Sequence, residues 1–168
     1  MALIIRQPTA NQSPDATLGG TAVTTPTNTG HASTVTSVSG ADNAEKSARW
    51  FSFQAVSGTK TAITLKIDHT SSGSLSGGGS NQFILDYSTN GGGAWTNAVT
   101  RTNFTAPEGP TTFSVALSAA QDISQVQVRA DYLVGGAEVG DSASITATIA
   151  NIKLEVTVRD EASPIVII

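Results

Sequence analysis

Apolar residues recur at every second position along most of this chain, which is the spacing of β-strands that bury one face. The longest alternating runs cover residues 61–68, 82–88, 125–134 and 142–158. Shorter runs predict further strands at residues 3–5, 33–38, 49–56, 94–100 and 113–117. Only residues 41–47 and 118–123 suit a single helical turn. The pattern therefore predicts an all-β protein.

The run at residues 142–158 changes phase part-way along. Its apolar positions are odd-numbered as far as Ile149 and even-numbered from Ile152 onward. A shift by one residue would turn every later side chain to the opposite face of the sheet. One inserted residue restores the alignment, so the sequence predicts a β-bulge or a break near Ala150 and Asn151.

Gly, Asn and Ser mark the reversals between the predicted strands. Residues 90–93 read Asn-Gly-Gly-Gly and supply the positive-φ positions of a tight hairpin turn between 82–88 and 94–100. Residues 69–80 are rich in Ser and Gly, and this composition predicts a flexible loop. Residues 9–30 are too polar to build a core, which predicts an irregular arm lying on the body.

About eight to ten short strands separated by turn signals predict an antiparallel β-sandwich or barrel. Jelly-roll connections are the preferred topology, although the pattern leaves other sandwich connections open. We divide the 168 residues into three parts. An N-terminal strand and polar arm packed on the body span residues 1–32, the β-sandwich spans 33–160, and an apolar C-terminal arm spans 161–168.

Composition narrows the classes of function. Only 13% of the residues are charged and the net charge is −4, without a basic cluster, which argues against nucleic-acid and membrane-surface partners. The lack of cysteine excludes disulfides and thiol chemistry. The first residues lack the basic region of a signal peptide, and no segment approaches the roughly 20 apolar residues of a transmembrane helix. These features predict a protein made in the cytoplasm.

No constellation of catalytic or metal-binding residues stands out. The histidines, His31 and His69, fall in polar stretches without the spacing of a metal site, which predicts solvated side chains. Four carboxylates at strand ends or outward positions leave calcium binding open: Asp68, Asp86, Asp131 and Asp141. No nucleophile motif is present and no pair of carboxylates can be singled out, so we predict no enzymatic activity and no cofactor.

Residues 88–95, Ser-Thr-Asn-Gly-Gly-Gly-Ala-Trp, resemble the Asp-box of sialidase-like propellers. Asn90 and Ala94 stand in place of the Asp and Thr of the box. In those families the box stabilises a hairpin, and a propeller carries several copies, whereas this chain has one. The resemblance therefore implies a structural turn, with Trp95 holding it against the sheet.

Two tryptophans are candidates for a sugar-binding platform. Trp50 alternates with Phe51 and Phe53, so it is expected to face away from their side of the strand. Trp95 follows the hairpin turn. An exposed ring would stack on a sugar, as in a carbohydrate-binding module or a cell-surface adhesion domain. A buried ring would only cover a sheet or an interface.

Four further stretches read Trp-Phe-Ser-Phe at 50–53, Ile-Thr-Leu-Lys-Ile at 63–67, Val-Gln-Val-Arg at 126–129 and Ile-Lys-Leu-Glu-Val at 152–156. Together with the hairpin they resemble the β-sandwich domains of tail, collar and head-decoration proteins of bacterial viruses. The resemblance implies a non-enzymatic structural protein of the virion, with copies of itself and other virion proteins as partners. This is the leading hypothesis, and glycan binding is the alternative.

Apolar residues near both ends of the chain suit an assembly role. They are Leu3, Ile4 and Ile5 near the start, and Ile165, Val166, Ile167 and Ile168 near the end. Short apolar segments of this kind tend to add to a sheet edge, either in the same domain or in a neighbouring subunit. We therefore predict that both segments act as inter-subunit arms.

Overall fold

The computed structural model describes residues 1–12, 31–39, 44–136 and 138–159. Within these ranges, the chain forms ten strands and one short 3-10 helix at Ile123–Gln125. The strands are β1 (Ala2–Arg6), β2 (Pro8–Gln12), β3 (His31–Ser39), β4 (Ala44–Phe53), β5 (Thr59–Ser76), β6 (Ser80–Ser88), β7 (Thr96–Thr102), β8 (Glu108–Leu117), β9 (Gln127–Gly135) and β10 (Ser142–Arg159). The predicted all-β class is confirmed.

The strands form two antiparallel sheets that face each other as a sandwich. The first sheet has the order β1-β10-β5-β8, with β3 also paired to β10, and the second has the order β2-β4-β9-β6-β7. From β3 to β10, successive strands alternate between the two sheets. The exception is the β6–β7 hairpin, whose two strands lie in the same sheet. The orders β3-β10-β5-β8 and β4-β9-β6-β7 are those of a jelly roll, so the preferred topology is confirmed.

Strands β1 and β2 extend one side of the sandwich. β1 pairs with β10 in the first sheet, and after Gln7 the chain enters the second sheet, where β2 pairs with β4. The sequence predicted an irregular arm from residue 9 onward, so this part of the prediction is wrong. The rest of that arm, at 13–30, and the C-terminal arm with Ile165, Val166, Ile167 and Ile168 lie outside the described residues.

The core lies between the sheets and is built from the alternate residues of each strand. Phe83 on β6 and Tyr132 on β9 are both fully buried, with ring centroids 5.5 Å apart. Leu65 and Ile67 of β5 and Leu154 of β10 enter the core from the first sheet. Burying each such side chain contributes about 1.5–3 kcal/mol, so the alternation accounts for why the two sheets pack together.

The predicted bulge in the last strand is confirmed. β10 pairs Ala150 with Asp68 and then Lys153 with Lys66, so β10 contains one extra residue at this point. Asn151 adopts a φ of 47°, a left-handed conformation that Asn tolerates better than most residues. As a result, Ile149 and Ile152 are both buried although their numbers differ in parity.

A second change of phase, in β4, was not predicted. Ser52 has a φ of 63°, and the buried residues on its two sides are Trp50 and Phe53. The sequence predicted Phe51 and Phe53 on one face of this strand and Trp50 on the other. The structure places Trp50 inside at 2% exposure and leaves Phe51 partly exposed, because the backbone turn at Ser52 shifts the alternation by one residue.

Strands β4 and β5 are longer than predicted. β4 begins at Ala44, so residues 44–47 are strand rather than the helical turn predicted at 41–47. β5 continues through residues 69–76, which were predicted as a flexible loop. His69 therefore lies in a strand at 2% exposure, and the prediction of a solvated side chain is wrong. Pairing with β10 along this stretch outweighs its weak strand composition.

Candidate functional site

The β6–β7 hairpin turn is held by side chains of the Asp-box-like stretch. The hydroxyl of Ser88 accepts a hydrogen bond from the Gly92 amide at 2.9 Å, and the Asn90 side-chain oxygen accepts one from the Ala94 amide at 2.8 Å. Gly91 and Gly92 have φ values of 72° and 87°, a region that favours glycine. Asn90 thus stabilises the turn, in line with the structural role that the resemblance to the Asp-box implies for this stretch.

This turn delivers Trp95 onto the outer face of the second sheet. The centre of the indole ring lies 4.5 Å from the guanidinium carbon of Arg129 and 5.2 Å from that of Arg49. Both distances are those of cation–π contacts. Trp95 is partly exposed and lies outside the core. It therefore holds the hairpin turn against the sheet through contacts with two surface arginines rather than with core residues.

The Arg129 side chain beneath the ring is fixed by two carboxylates. Its Nη2 atom lies 2.7 Å from Asp86 Oδ2 and its Nε atom lies 3.0 Å from Asp131 Oδ2. The side-chain amide of Asn97 donates a hydrogen bond to the other oxygen of Asp86 at 3.1 Å. These contacts keep the guanidinium plane, and therefore the indole ring above it, in one orientation.

Strand register explains why these residues meet. Arg49 of β4 pairs with Arg129 of β9, Arg129 pairs with Asp86 of β6, and Asp86 pairs with Asn97 of β7. They form one row across four adjacent strands, on the face opposite the core. We call this row, together with Trp95 and Asp131, the Trp95 face.

The two predicted tryptophans lie on opposite sides of the second sheet. Trp50 belongs to the core cluster and is 2% exposed, so its ring offers no surface for stacking. The prediction of a sugar-binding platform at Trp50 is therefore wrong, because the positive φ of Ser52 shifts the alternation of β4 and turns Trp50 into the core. Trp95 is brought to a surface with charged and amide side chains around it, and only this half of the predicted pair has the surroundings of a ligand site.

The residues predicted as an N-terminal arm are partly at the surface. Leu3 and Ile5 of β1 are 63% and 50% exposed, whereas Ile4 packs against the core. These side chains lie on the first sheet, so they are separate from the Trp95 face.

The carboxylates considered for calcium have other partners. Asp68 accepts hydrogen bonds from Thr112 and Asn151, and Asp141 accepts them from the backbone amides of Gly78 and Glu138. The described residues contain no group of three or more His, Asp or Glu side chains that could hold a metal ion. Across the same ranges, no helix has the length and apolarity to span a membrane.

Histidine 69 is a buried titratable group away from the Trp95 face. Its ring lies 6.1 Å from that of Phe83, and within the described part of the chain neither ring nitrogen has a hydrogen-bond partner. Burial lowers the pKa of His69, and the positive charge of Arg101 adds to this effect. The carboxylates of Glu108 and Asp68 oppose it without reversing it. Burial thus favours the neutral form of the His69 ring inside the sandwich.

Part of the Trp95 face could be predicted from the sequence. Alternation predicted outward positions for Asp86 and Asp131, and in the structure both carboxylates pair with Arg129 on the outer face of the second sheet. It did not predict Arg49 as a partner or the stacking of Trp95, because both depend on the register of strands that are distant in the chain. A tryptophan directly after a tight hairpin, beside outward-facing arginines, is the feature that would have indicated it.

No protein-family model matches this sequence, and the comparison with curated proteins found no match. Solved structures with some similarity include a carbohydrate-binding module of the CBM28 type, specific for non-crystalline cellulose. It has 11% identity, a TM-score of 0.34, and coverage of 87% of this chain and 80% of that one. The module TmCBM61, solved with β-1,4-galactotriose, has 12% identity, a TM-score of 0.31, and coverage of 94% and 88%.

A third structure is the N-terminal cellulose-binding domain of β-1,4-glucanase C from Cellulomonas fimi. It has 13% identity, a TM-score of 0.28, and coverage of 81% of this chain and 83% of that one. TM-scores this low do not establish a shared ligand. The functional argument therefore depends on the chemistry of the Trp95 face itself.

Proposed function

We propose that this protein is a non-catalytic glycan-binding module and that its ligand lies on the Trp95 face. The observation that supports this most directly is the position of the Trp95 indole over two guanidinium groups that come from one face of one sheet. Flat aromatic surfaces with polar groups around them suit sugars, which present C–H faces and hydroxyl edges.

The Trp95 ring is partly exposed and lies over the outer face of the second sheet. Arg49 and Arg129 are directly opposite each other on neighbouring strands, so both project from the same face of the sheet. The indole thus contacts the sheet through these two groups, and we infer that a sugar stacks on the part of the ring that is exposed. A pyranose ring placed there would stack on the aromatic surface without disturbing the cation–π contacts.

The polar groups beside the ring are already in place. Asn97 is held by Asp86 and by the Thr100 hydroxyl, at 3.1 Å and 2.9 Å. Asp86 and Asp131 are held by Arg129. Groups that are fixed before the ligand arrives lose little conformational entropy on binding. Both carboxylates are engaged in ion pairs with the same arginine, which suits a binding role better than acid–base catalysis.

A glycan array tests the proposal. Wild-type protein is expected to retain one or more glycans. Trp95→Ala should lose that signal, whereas Trp95→Phe should keep part of it because an aromatic face remains. Trp50→Phe is the matched control, since it changes a buried tryptophan in the same sheet and should leave the glycan signal unchanged. Retention of full signal by Trp95→Ala would contradict the proposal.

A second candidate function is structural assembly in a virion, as the resemblance to bacteriophage proteins implies. The exposed apolar side chains of Leu3 and Ile5 favour it, because apolar residues on a sheet edge suit contacts between subunits. Electron microscopy of the native source, with antibodies against this chain, tests it. Labelled particles would support the role, and a source without particles that contain the chain would contradict it.

A further inference from the structure

Within the part of the chain that the structure describes, β1 is an edge strand with unusual surface chemistry. Among the described strands it pairs with β10 alone, and its register is unbroken from Ala2, opposite Val158, to Arg6, opposite Leu154. Three of the four exposed large apolar residues in the described ranges lie in β1 or directly before it: Met1, Leu3 and Ile5. Apolar exposure is therefore concentrated at this edge rather than scattered over the surface.

The other sheet edges carry features that discourage pairing with a further strand. β8 contains Pro110, which has no amide hydrogen, and β2 begins at Pro8. The register of β7 against β6 shifts between Leu85 and Asp86, and that of β3 against β10 shifts between Ala143 and Ile145. Prolines and bulges are common protections of sheet edges. β1 has neither of them.

We propose that β1 binds the β1 strand of a second copy of this chain, antiparallel and across a two-fold axis. A register centred on Ile4 places Leu3 opposite Ile5 of the second copy, and Ile5 opposite Leu3 of the second copy. The exposed apolar side chains then contact each other on the outer face of a sheet that continues through both molecules. The strand is thus complementary to itself, as a two-fold contact requires.

Charge is compatible with the same register. Arg6 lies opposite Ala2 of the second copy, so no two like charges are paired. Leu3 and Ile5 are flanked on β10 by Thr157 and Glu155, and Glu155 is paired with Lys66 and Lys153 at 2.9 Å and 3.1 Å. The negative charge of Glu155, next to Leu3 and Ile5, is therefore neutralised by these two lysines. This inference is independent of glycan binding, because β1 and the Trp95 face belong to different sheets.

Sedimentation velocity over a range of concentrations tests the proposal. The full chain is expected to approach twice its monomer mass of 17.1 kDa as concentration rises. The double variant Leu3→Lys, Ile5→Lys places like charges opposite each other and should halve that mass. Mixing it with the variant Leu3→Glu, Ile5→Glu should restore the dimer, because opposite charges then face each other in the same register.

The matched control is Ser114→Lys with Ala116→Lys, which alters two exposed outer positions of the β8 edge. It should leave the mass of the dimer unchanged. A wild-type protein that is monomeric at every concentration would overturn the proposal, as would a dimer that survives Leu3→Lys, Ile5→Lys. A monomer in which the β1 amides directed away from β10 are nevertheless protected from hydrogen exchange would assign the edge to another segment of the chain and would also overturn it.

Discussion

Deleting Asn151 tests the most specific structural conclusion, that one inserted residue keeps both halves of β10 facing the core. If the bulge were lost while residue 151 stayed in the chain, every later side chain would turn to the opposite face. Four buried residues would then be directed toward solvent, Ile152, Leu154, Val156 and Val158, at a cost of roughly 6–12 kcal/mol, from about 1.5–3 kcal/mol for each side chain. Removing residue 151 avoids that cost, because Ile149 and Ile152 are then two positions apart and Ile152 pairs with Ile67 in a regular strand. Since domains are stable by only about 5–15 kcal/mol, the two outcomes are easily told apart, and the deletion variant should still melt cooperatively.

Asn151→Gly is the control, because glycine adopts the same left-handed conformation without strain. It removes the hydrogen bond from the Asn151 amide to Asp68, which is 2.8 Å long and exposed. The net cost should be about 1 kcal/mol or less, a change in Tm of about 2–4 °C for a chain of this size. Thermal unfolding followed by circular dichroism measures both variants. A deletion variant that has lost its cooperative transition would refute the conclusion that residue 151 is the one extra residue in the alternation of β10.

Three further predictions concern the core, the buried histidine and the hairpin. Phe83→Ala should cost about 3–5 kcal/mol in urea unfolding, because Phe83 is fully buried against Tyr132; a loss below about 1 kcal/mol would show a loosely packed core. Because the pKa of His69 is lowered in the folded protein, the unfolded chain binds a proton on this residue more readily. The free energy of unfolding should therefore be highest above the ordinary pKa of 6.5 and should decrease as the pH falls below that value. His69→Leu should flatten that dependence, and an unchanged slope would assign the proton uptake elsewhere. Trp95→Ala should cost less than the roughly 3–5 kcal/mol expected for a buried tryptophan, because its ring contacts two surface arginines; a larger fall in chemical denaturation would place the ring in the core.

Alternation was a reliable guide wherever a strand has one buried face. It located the paired strands of the sandwich and the bulge at Asn151, because a change of parity between Ile149 and Ile152 has only one simple structural solution. The sequence favoured a jelly-roll strand order over other sandwich topologies, but it did not determine that order. Sequence spacing carries little information about which strands pair across the two sheets.

Predictions failed where tertiary contacts outweigh local preference. The positive φ of Ser52 has no signature in the sequence, and it moved Trp50 into the core. Residues 69–76 have loop composition but form strand, because β10 supplies a continuous partner. The Trp95 face depends on Arg49 and Arg129, which lie far from Trp95 in the chain and meet it only through strand register.

The central claim is that a glycan stacks on Trp95, and calorimetric titration of a glycan retained on the array tests it most directly. Wild-type protein should bind with a stoichiometry of about one, and Trp95→Ala should bind at least about tenfold more weakly, a loss of about 1.4 kcal/mol, while its circular dichroism stays unchanged. Equal affinity in the wild type and in a folded Trp95→Ala variant would contradict the claim. A folded wild-type protein that binds no glycan would contradict it as well.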